Sequence, residues 1–152
     1  MSRWTATAQA NATSEQLLEV LTHPEEIRRW SPVAFDVDDL DGRRLAAGIR
    51  TRVTGRLAGV SMSFDVEVGT ADIDRLELSA DGPVGFDVRY DLGAAAAGVE
   101  MTASVGVRRG GGITGRLVAN AAETLLAAGV LDGATGRIVR AAESQLSAAA
   151  QC

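Results

Sequence analysis

Hydrophobic and polar positions along the chain change period twice, and those changes mark out its elements. Residues 4–10, WTATAQA, alternate Trp4, Ala6, Ala8 and Ala10 with Thr5, Thr7 and Gln9, a period of two that predicts a strand. In SEQLLEVLT, the residues Leu17, Leu18 and Leu21 share one face of a helix that Thr13 or Ser14 can cap. Pro24 stands where a second short helix, PEEIRRW, can begin. Ser31-Pro32 ends it, because a residue before proline is pushed out of the helical region. From about residue 33 to 108 strand follows strand: Val33–Asp39, Ile49–Leu57, Val60–Val68, Asp72–Ala80, Val84–Leu92 and Gly98–Arg108, joined by glycine-rich turns. After Gly110-Gly111-Gly112 the period becomes helical. Ile113, Leu117, Ala121, Leu125 and Ala128 recur in one row, followed beyond a weak point at Gly129–Gly133 by Ile138, Ala142 and Leu146. This predicts one long helix over about 113–147, bent near the glycines, with its stripe on the apolar face of the sheet.

Charge patterning tests the register. If Ala58-Gly59 is a two-residue hairpin loop, Arg52 lies opposite Asp65 and Arg50 opposite Glu67, while Val53 meets Phe64 and Gly55 meets Met62 on the other face. A one-residue slip would destroy both sets. In the last hairpin, setting Tyr90 opposite Val99 brings Arg89 against Glu100 and Val88 against Met101. Both arrangements make one face charged and solvated and the other apolar.

Composition then removes chemistries. The 152 residues suit one domain spanning 1–152, 46% hydrophobic and 23% charged. A net charge of −5 argues against binding nucleic acid or an anionic membrane. All fifteen cations are arginine, so a Schiff base, a lysine general base and a phosphate-loop lysine are excluded. Gly110–Leu117 has the glycines of a phosphate loop, but Arg116-Leu117 replaces its Lys-Ser/Thr, so it reads as a strand-to-helix turn. One cysteine, Cys152, and one histidine, His23, leave no thiolate or histidine cluster for zinc. The acidic run Asp36–Asp41 lacks the spacing of a calcium loop. No metal site and no cofactor is expected. The stretch MSRWTATAQA has no signal-peptide h-region and no apolar run approaches about 18 residues, so a cytoplasmic chain without stable membrane insertion is expected.

The apolar face is the more informative feature. Trp4, Val53, Met62, Phe64, Leu78, Phe86, Val88, Tyr90 and Met101 face small residues on the first strand and at Ala121 and Ala128. They can form a filled core, or a cavity for an apolar ligand, to which alanines and adaptable methionines are suited. Tyr90 is the polar handle on that face. His23 and Tyr90 are the weak candidates for catalysis.

The N-terminal stretch WTATAQANATSEQLLEVLTHPEEIRRWSP carries Ala12, Glu15, Leu18, Val20 and Leu21, then Pro24, Ile27, Trp30 and Pro32 in a P-x-x-I-x-x-W-x-P turn. With the long C-terminal helix it resembles the START-like superfamily, also called SRPBCC or Bet v 1-like, which includes bacterial polyketide cyclase/dehydrase and lipid-transport proteins. The resemblance spans essentially the whole chain. It implies an α+β helix-grip fold, in which a seven-stranded antiparallel sheet wraps a long C-terminal helix and two short helices follow strand 1. It also implies a ligand cavity between sheet and helix, here lined by Trp30, Phe35, Val53, Met62, Phe64, Leu78, Phe86, Val88, Tyr90, Met101, Leu117, Ala121 and Leu125. The Rieske ligands of some relatives are absent. The relatives' cyclases use pocket arginine, tyrosine or histidine, for which Tyr90, His23, Arg28 and Arg29 stand here. The expected function is binding of a small hydrophobic molecule (a lipid, isoprenoid or polyketide) by a monomer or homodimer. The alternatives are a cofactor-independent cyclase or dehydrase and a protein-interaction module.

Overall fold

The computed structural model describes residues 2–23, 26–27, 30, 35–37, 45–57, 60–96, 98–108 and 112–150. Its elements run β1 (Ser2–Ala10), α1 (Ser14–Thr22), β2 (Phe35–Val37), β3 (Arg50–Leu57), β4 (Val60–Ala71), β5 (Arg75–Asp81), β6 (Gly85–Ala95), β7 (Gly98–Arg108), α2 (Gly112–Ala127) and α3 (Val130–Ala150). All pairings in the sheet are antiparallel, in the order β1-β7-β6-β5-β4-β3-β2.

Thr13 is the cap of α1. Its hydroxyl accepts from the Gln16 amide at 3.1 Å while the Gln16 side chain accepts from the Thr13 amide at 2.9 Å, a reciprocal capping box. Of the expected helix from Pro24 to Trp30, Glu26, Ile27 and Trp30 are helical; Pro24, Arg28 and Arg29 lie outside the described residues, as do Ser31 to Ala34. Asp72 belongs to a turn rather than to β5, because its carboxylate accepts from the amides of Asp74 and Arg75 at 2.9 and 3.0 Å.

The β3–β4 register is the one the charges demand: Arg50 opposite Glu67, Arg52 opposite Asp65, Val53 opposite Phe64 and Gly55 opposite Met62. Both ion pairs span 3.5 Å. The β6–β7 register corrects the expectation. Tyr90 faces Ala103, Val88 faces Val105 and Arg89 faces Ser104, four residues from the anticipated pairing. The strands continue through Gly93, Ala94 and Ala95 to the pair Ala95–Gly98. Gly98 has φ +134, and a Cβ there would collide with the Ala10 carbonyl, so only glycine suits this turn. Arg89 finds its acids elsewhere, bonding Asp91 at 2.7 Å and meeting Glu77 at 3.4 Å. The offset is even, so each side chain keeps its face.

The expectation of seven full strands wrapped about one long helix is corrected. Among the described residues six full-length strands, β1 and β3–β7, carry the sheet, and β2 adds only three paired residues at its edge. The C-terminal segment is two helices, α2 and α3, bent by 63°. The break falls at Ala128-Gly129, where Gly129 has φ +94, a conformation that ends a helix and that a side chain disfavours. The class remains α+β.

The break gives the inner face two cores. α3 lies against β1 and α1 and buries Leu131, Ala134, Ile138, Val139 and Ala142 with Leu17, Val20, Leu21, Trp30, Leu76, Tyr90, Leu92 and Met101. α2 buries Val118 and Ala119 with Met62, Val84 and Val107.

Candidate ligand-binding site

Alternation along the strands brings Trp4, Val105, Val88 and Leu78 into one row across the inner face. All four are only partly buried although the row crosses the middle of the sheet. The reason lies in the bend. The α3 core packs from one side and includes Trp4, Ala8, Leu78, Val88 and Val105 at its margin, while the α2 core has Trp4, Phe64 and Phe86 at its own. Trp4 and Leu126 touch both. The apolar row is thus a floor at the margin of the α3 core that reaches the α2 core at Trp4.

Polar groups at this floor are few. Tyr90 is 6% exposed and stacks edge-on against Trp30, ring centroids 6.3 Å apart at 78°. No hydrogen bond joins its hydroxyl to any described residue. Burial pushes the phenol well above its ordinary value, so it stays protonated and available as a donor. Thr51, on the inner side of β3, is 7% exposed and its hydroxyl is buried without a partner. Such groups are costly unless something pairs with them.

Trp30 is held from two directions. Its indole N–H donates to the Val20 carbonyl at 3.0 Å, and its own carbonyl accepts from Arg137 Nε at 3.0 Å. Val20 lies in the last turn of α1, whose carbonyls lack helical partners, so the indole closes the helix end. His23 is the residue just past α1; its amide bonds the Glu19 carbonyl and its Nδ1 is buried without a partner.

The remaining expected lining residues divide by place. Val53, Met62, Phe64, Leu78, Phe86, Val88, Tyr90 and Met101 share the inner face, with Met101 wholly buried and the Phe64 and Phe86 rings 5.7 Å apart. Phe35 pairs with Gly55 through its backbone, but its side chain lies outside the described residues. Ala121 is partly buried. Leu117 and Leu125 are 54% and 38% exposed, turned away from the sheet. The buried row of α2 is Gly115, Val118, Ala119 and Ala122, with Leu126 beyond it, spaced by three and four as a straight helical stripe requires. A row repeating every four residues drifts about 40° per step around the helix, which carried Leu117 and Leu125 out to solvent. Val105, Leu126 and Arg137 were missed. The spacing of Val118, Ala122 and Leu126 was the available signal for the second.

The opposite face of the sheet is polar. Arg75 and Arg89 converge on Asp91 at 2.9 and 2.7 Å, and the Arg89 bond, seconded by Arg75, holds that carboxyl below its ordinary value. Arg108 joins Asp81 and Asp87 at 2.9 and 2.8 Å. A shallow trough of about 310 Å³ lies among Arg3, Glu67, Glu77, Asp87, Arg89 and Ser104, with Leu78 and Val88 also in its lining, and another of about 650 Å³ lies near Arg50, Arg52 and Glu67. Both have charged walls and are open to solvent. Among the described residues no cluster of three metal-ligating side chains occurs, and no single helix is long and apolar enough to cross a membrane.

Fold and site define an α+β protein whose antiparallel sheet turns one apolar face to two C-terminal helices and one charged face outward. Comparison with protein families and with curated proteins finds no match. Solved structures do share the fold. Protein MLL2253 of Mesorhizobium loti superposes with a TM-score of 0.62 at 16% identity, over 94% of this chain and 98% of its own. Protein BH1534 of Bacillus halodurans gives 0.67 at 12%, over 93% and 97%. DynU16, a protein in the dynemicin biosynthetic locus, gives 0.60 at 21%, and the match covers 95% of this chain but 48% of DynU16. At these identities the likeness establishes the fold and leaves the chemistry to the site.

Proposed function

We propose that the protein binds a small hydrophobic molecule on the inner face of the sheet, over Leu78, Val88 and Val105, as a carrier or sequestering protein of the START-like, SRPBCC kind. The observation that carries this reading is the row of only partly buried apolar residues at the margin of the α3 core, which reaches the α2 core at Trp4. Desolvation of the ligand drives binding, at about 25 cal/mol per Å² of apolar area removed from water. The Tyr90 hydroxyl supplies one directional contact to a ligand carbonyl or hydroxyl.

A cofactor-independent cyclase or dehydrase is the second reading, favoured by the likeness to DynU16 from a biosynthetic locus. There the same floor folds a reactive chain and the protonated Tyr90 polarises a carbonyl. Among the described residues no hydrogen bond joins Tyr90 to a base, so simple binding is preferred.

Uptake of an apolar fluorescent probe, followed by its emission, tests the proposal. Val88→Trp places an indole on the floor and should abolish uptake while leaving the fold intact by circular dichroism. Unchanged uptake in a folded Val88→Trp protein contradicts it.

A further inference from the structure

Helix α2 carries large aliphatic side chains on two sides. Toward the sheet it buries Gly115, Val118, Ala119 and Ala122. Outward it presents Ile113, Leu117 and Leu125, exposed by 88%, 54% and 38%, with the exposed Ala127 and Ala128 at its end and the exposed Arg116, Asn120 and Thr124 between them. Between Gly112 and Ala127 the charged residues are Arg116 and Glu123, of opposite sign. Large aliphatic side chains left open along a helix mark a contact surface.

We infer that α2 docks through Ile113, Leu117 and Leu125 onto the surface of a zwitterionic lipid bilayer, where the protein collects or delivers its apolar ligand. The delivery role rests on the ligand reading above; the docking itself does not.

Area disfavours a second copy of the chain as the occupant. A helix of 16 residues is about 24 Å long. A stripe about 10 Å wide on it offers roughly 240 Å², far below the roughly 800 Å² per partner of a stable dimer. A bilayer needs no shape complementarity, and three aliphatic side chains suffice for shallow, reversible binding. Charge selects the lipid: the face brings no net charge, and a chain at −5 is repelled by anionic headgroups. Geometry keeps the helix in the surface plane. α2 and α3 together reach the hydropathy of a membrane span, but they meet at 63° and neither spans alone. Leu126, next to Leu125, packs against both cores, as Trp4 of the apolar row does, so α2 reaches from the docking face to the two cores.

Flotation of the full chain with phosphatidylcholine vesicles tests this. Affinity should be at most on the order of 10⁴ M⁻¹, the level of one acyl chain, so millimolar lipid is used. Wild type should float in proportion to lipid. The Ile113→Ser/Leu117→Ser variant should bind at least about tenfold more weakly, each side chain contributing about a factor of ten when buried. Both positions are exposed, so its melting and sedimentation should match wild type. Equal flotation of the two proteins, or none by wild type, overturns the inference. So does a wild-type dimer that the variant dissociates, which assigns the face to a second copy. Val88→Trp separates the two proposals. If it floats but takes up no probe, both stand. Uptake by wild type without flotation removes docking alone, and flotation by wild type without uptake removes the ligand reading alone.

Discussion

Replacing Trp30 by phenylalanine should destabilise the protein by about 2–4 kcal/mol, and the parts of that figure can be assigned. Trp30 is 9% exposed and its indole N–H donates to the Val20 carbonyl in a buried bond of 3.0 Å. That carbonyl sits in the last turn of α1, beyond the reach of helical partners. Leaving it buried and unpaired costs about 1–3 kcal/mol. The smaller ring also leaves a void beside Tyr90, adding about 1 kcal/mol. The Arg137 bond to the Trp30 main chain survives the change, so the loss isolates the indole. Tyr90→Phe is the matched control: it keeps the ring contact at 6.3 Å and removes a hydroxyl with no partner among the described residues, so less than about 1 kcal/mol should be lost. Urea denaturation followed by circular dichroism measures both, compared at a common slope. A Trp30→Phe loss under about 0.5 kcal/mol would refute the reasoning, because the Val20 carbonyl would then have an alternative partner.

Further outcomes follow from the same interactions. The Tyr90 phenol is raised above its ordinary value, so the folded protein holds that proton longer than the unfolded chain; stability is complete below about pH 10 and falls as pH rises above it. Tyr90→Phe should flatten this alkaline loss in a pH series of thermal melts. Asp91 is depressed by Arg89 and then Arg75, so its contribution is present above about pH 4 and lost as acid protonates it; exposure limits it to under about 1 kcal/mol. Asp91→Asn should therefore be less stable at neutral pH and converge with wild type near pH 2, as acid titrations of the two proteins would show. Leu126→Ala should cost about 2–3 kcal/mol in urea and Leu125→Ala less than about 1, a contrast that reports which side of α2 faces the core.

Particular residues explain what could be read in advance. The β3–β4 register was legible because Arg50, Arg52, Asp65 and Glu67 alternate with apolar partners, so one offset satisfies both faces. The β6–β7 offset was not, because Gly93, Ala94 and Ala95 continue the strand without alternation and Arg89 is satisfied by Asp91 and Glu77. Inner-face candidates from Met62 to Met101 followed from alternation alone and landed together. The α2 residues did not. Fitting one stripe across the whole C-terminal segment assumed a continuous helix, whereas Gly129 at φ +94 lets α2 set its own rotation. Trp30 was legible as a buried anchor through its spacing from Ile27. Its bond to Val20 joins residues ten apart through a turn, and local periodicity does not encode such a contact.

Native mass spectrometry of freshly purified protein, with organic extraction of whatever it carries, tests most directly whether the apolar floor is a binding site. The expected spectrum contains a population heavier than the polypeptide by the mass of one apolar small molecule, released by extraction and absent in Val88→Trp. A clean apo mass, together with no thermal shift from added lipids, isoprenoids or polyketides, would contradict the proposal and leave the inner face a filled core.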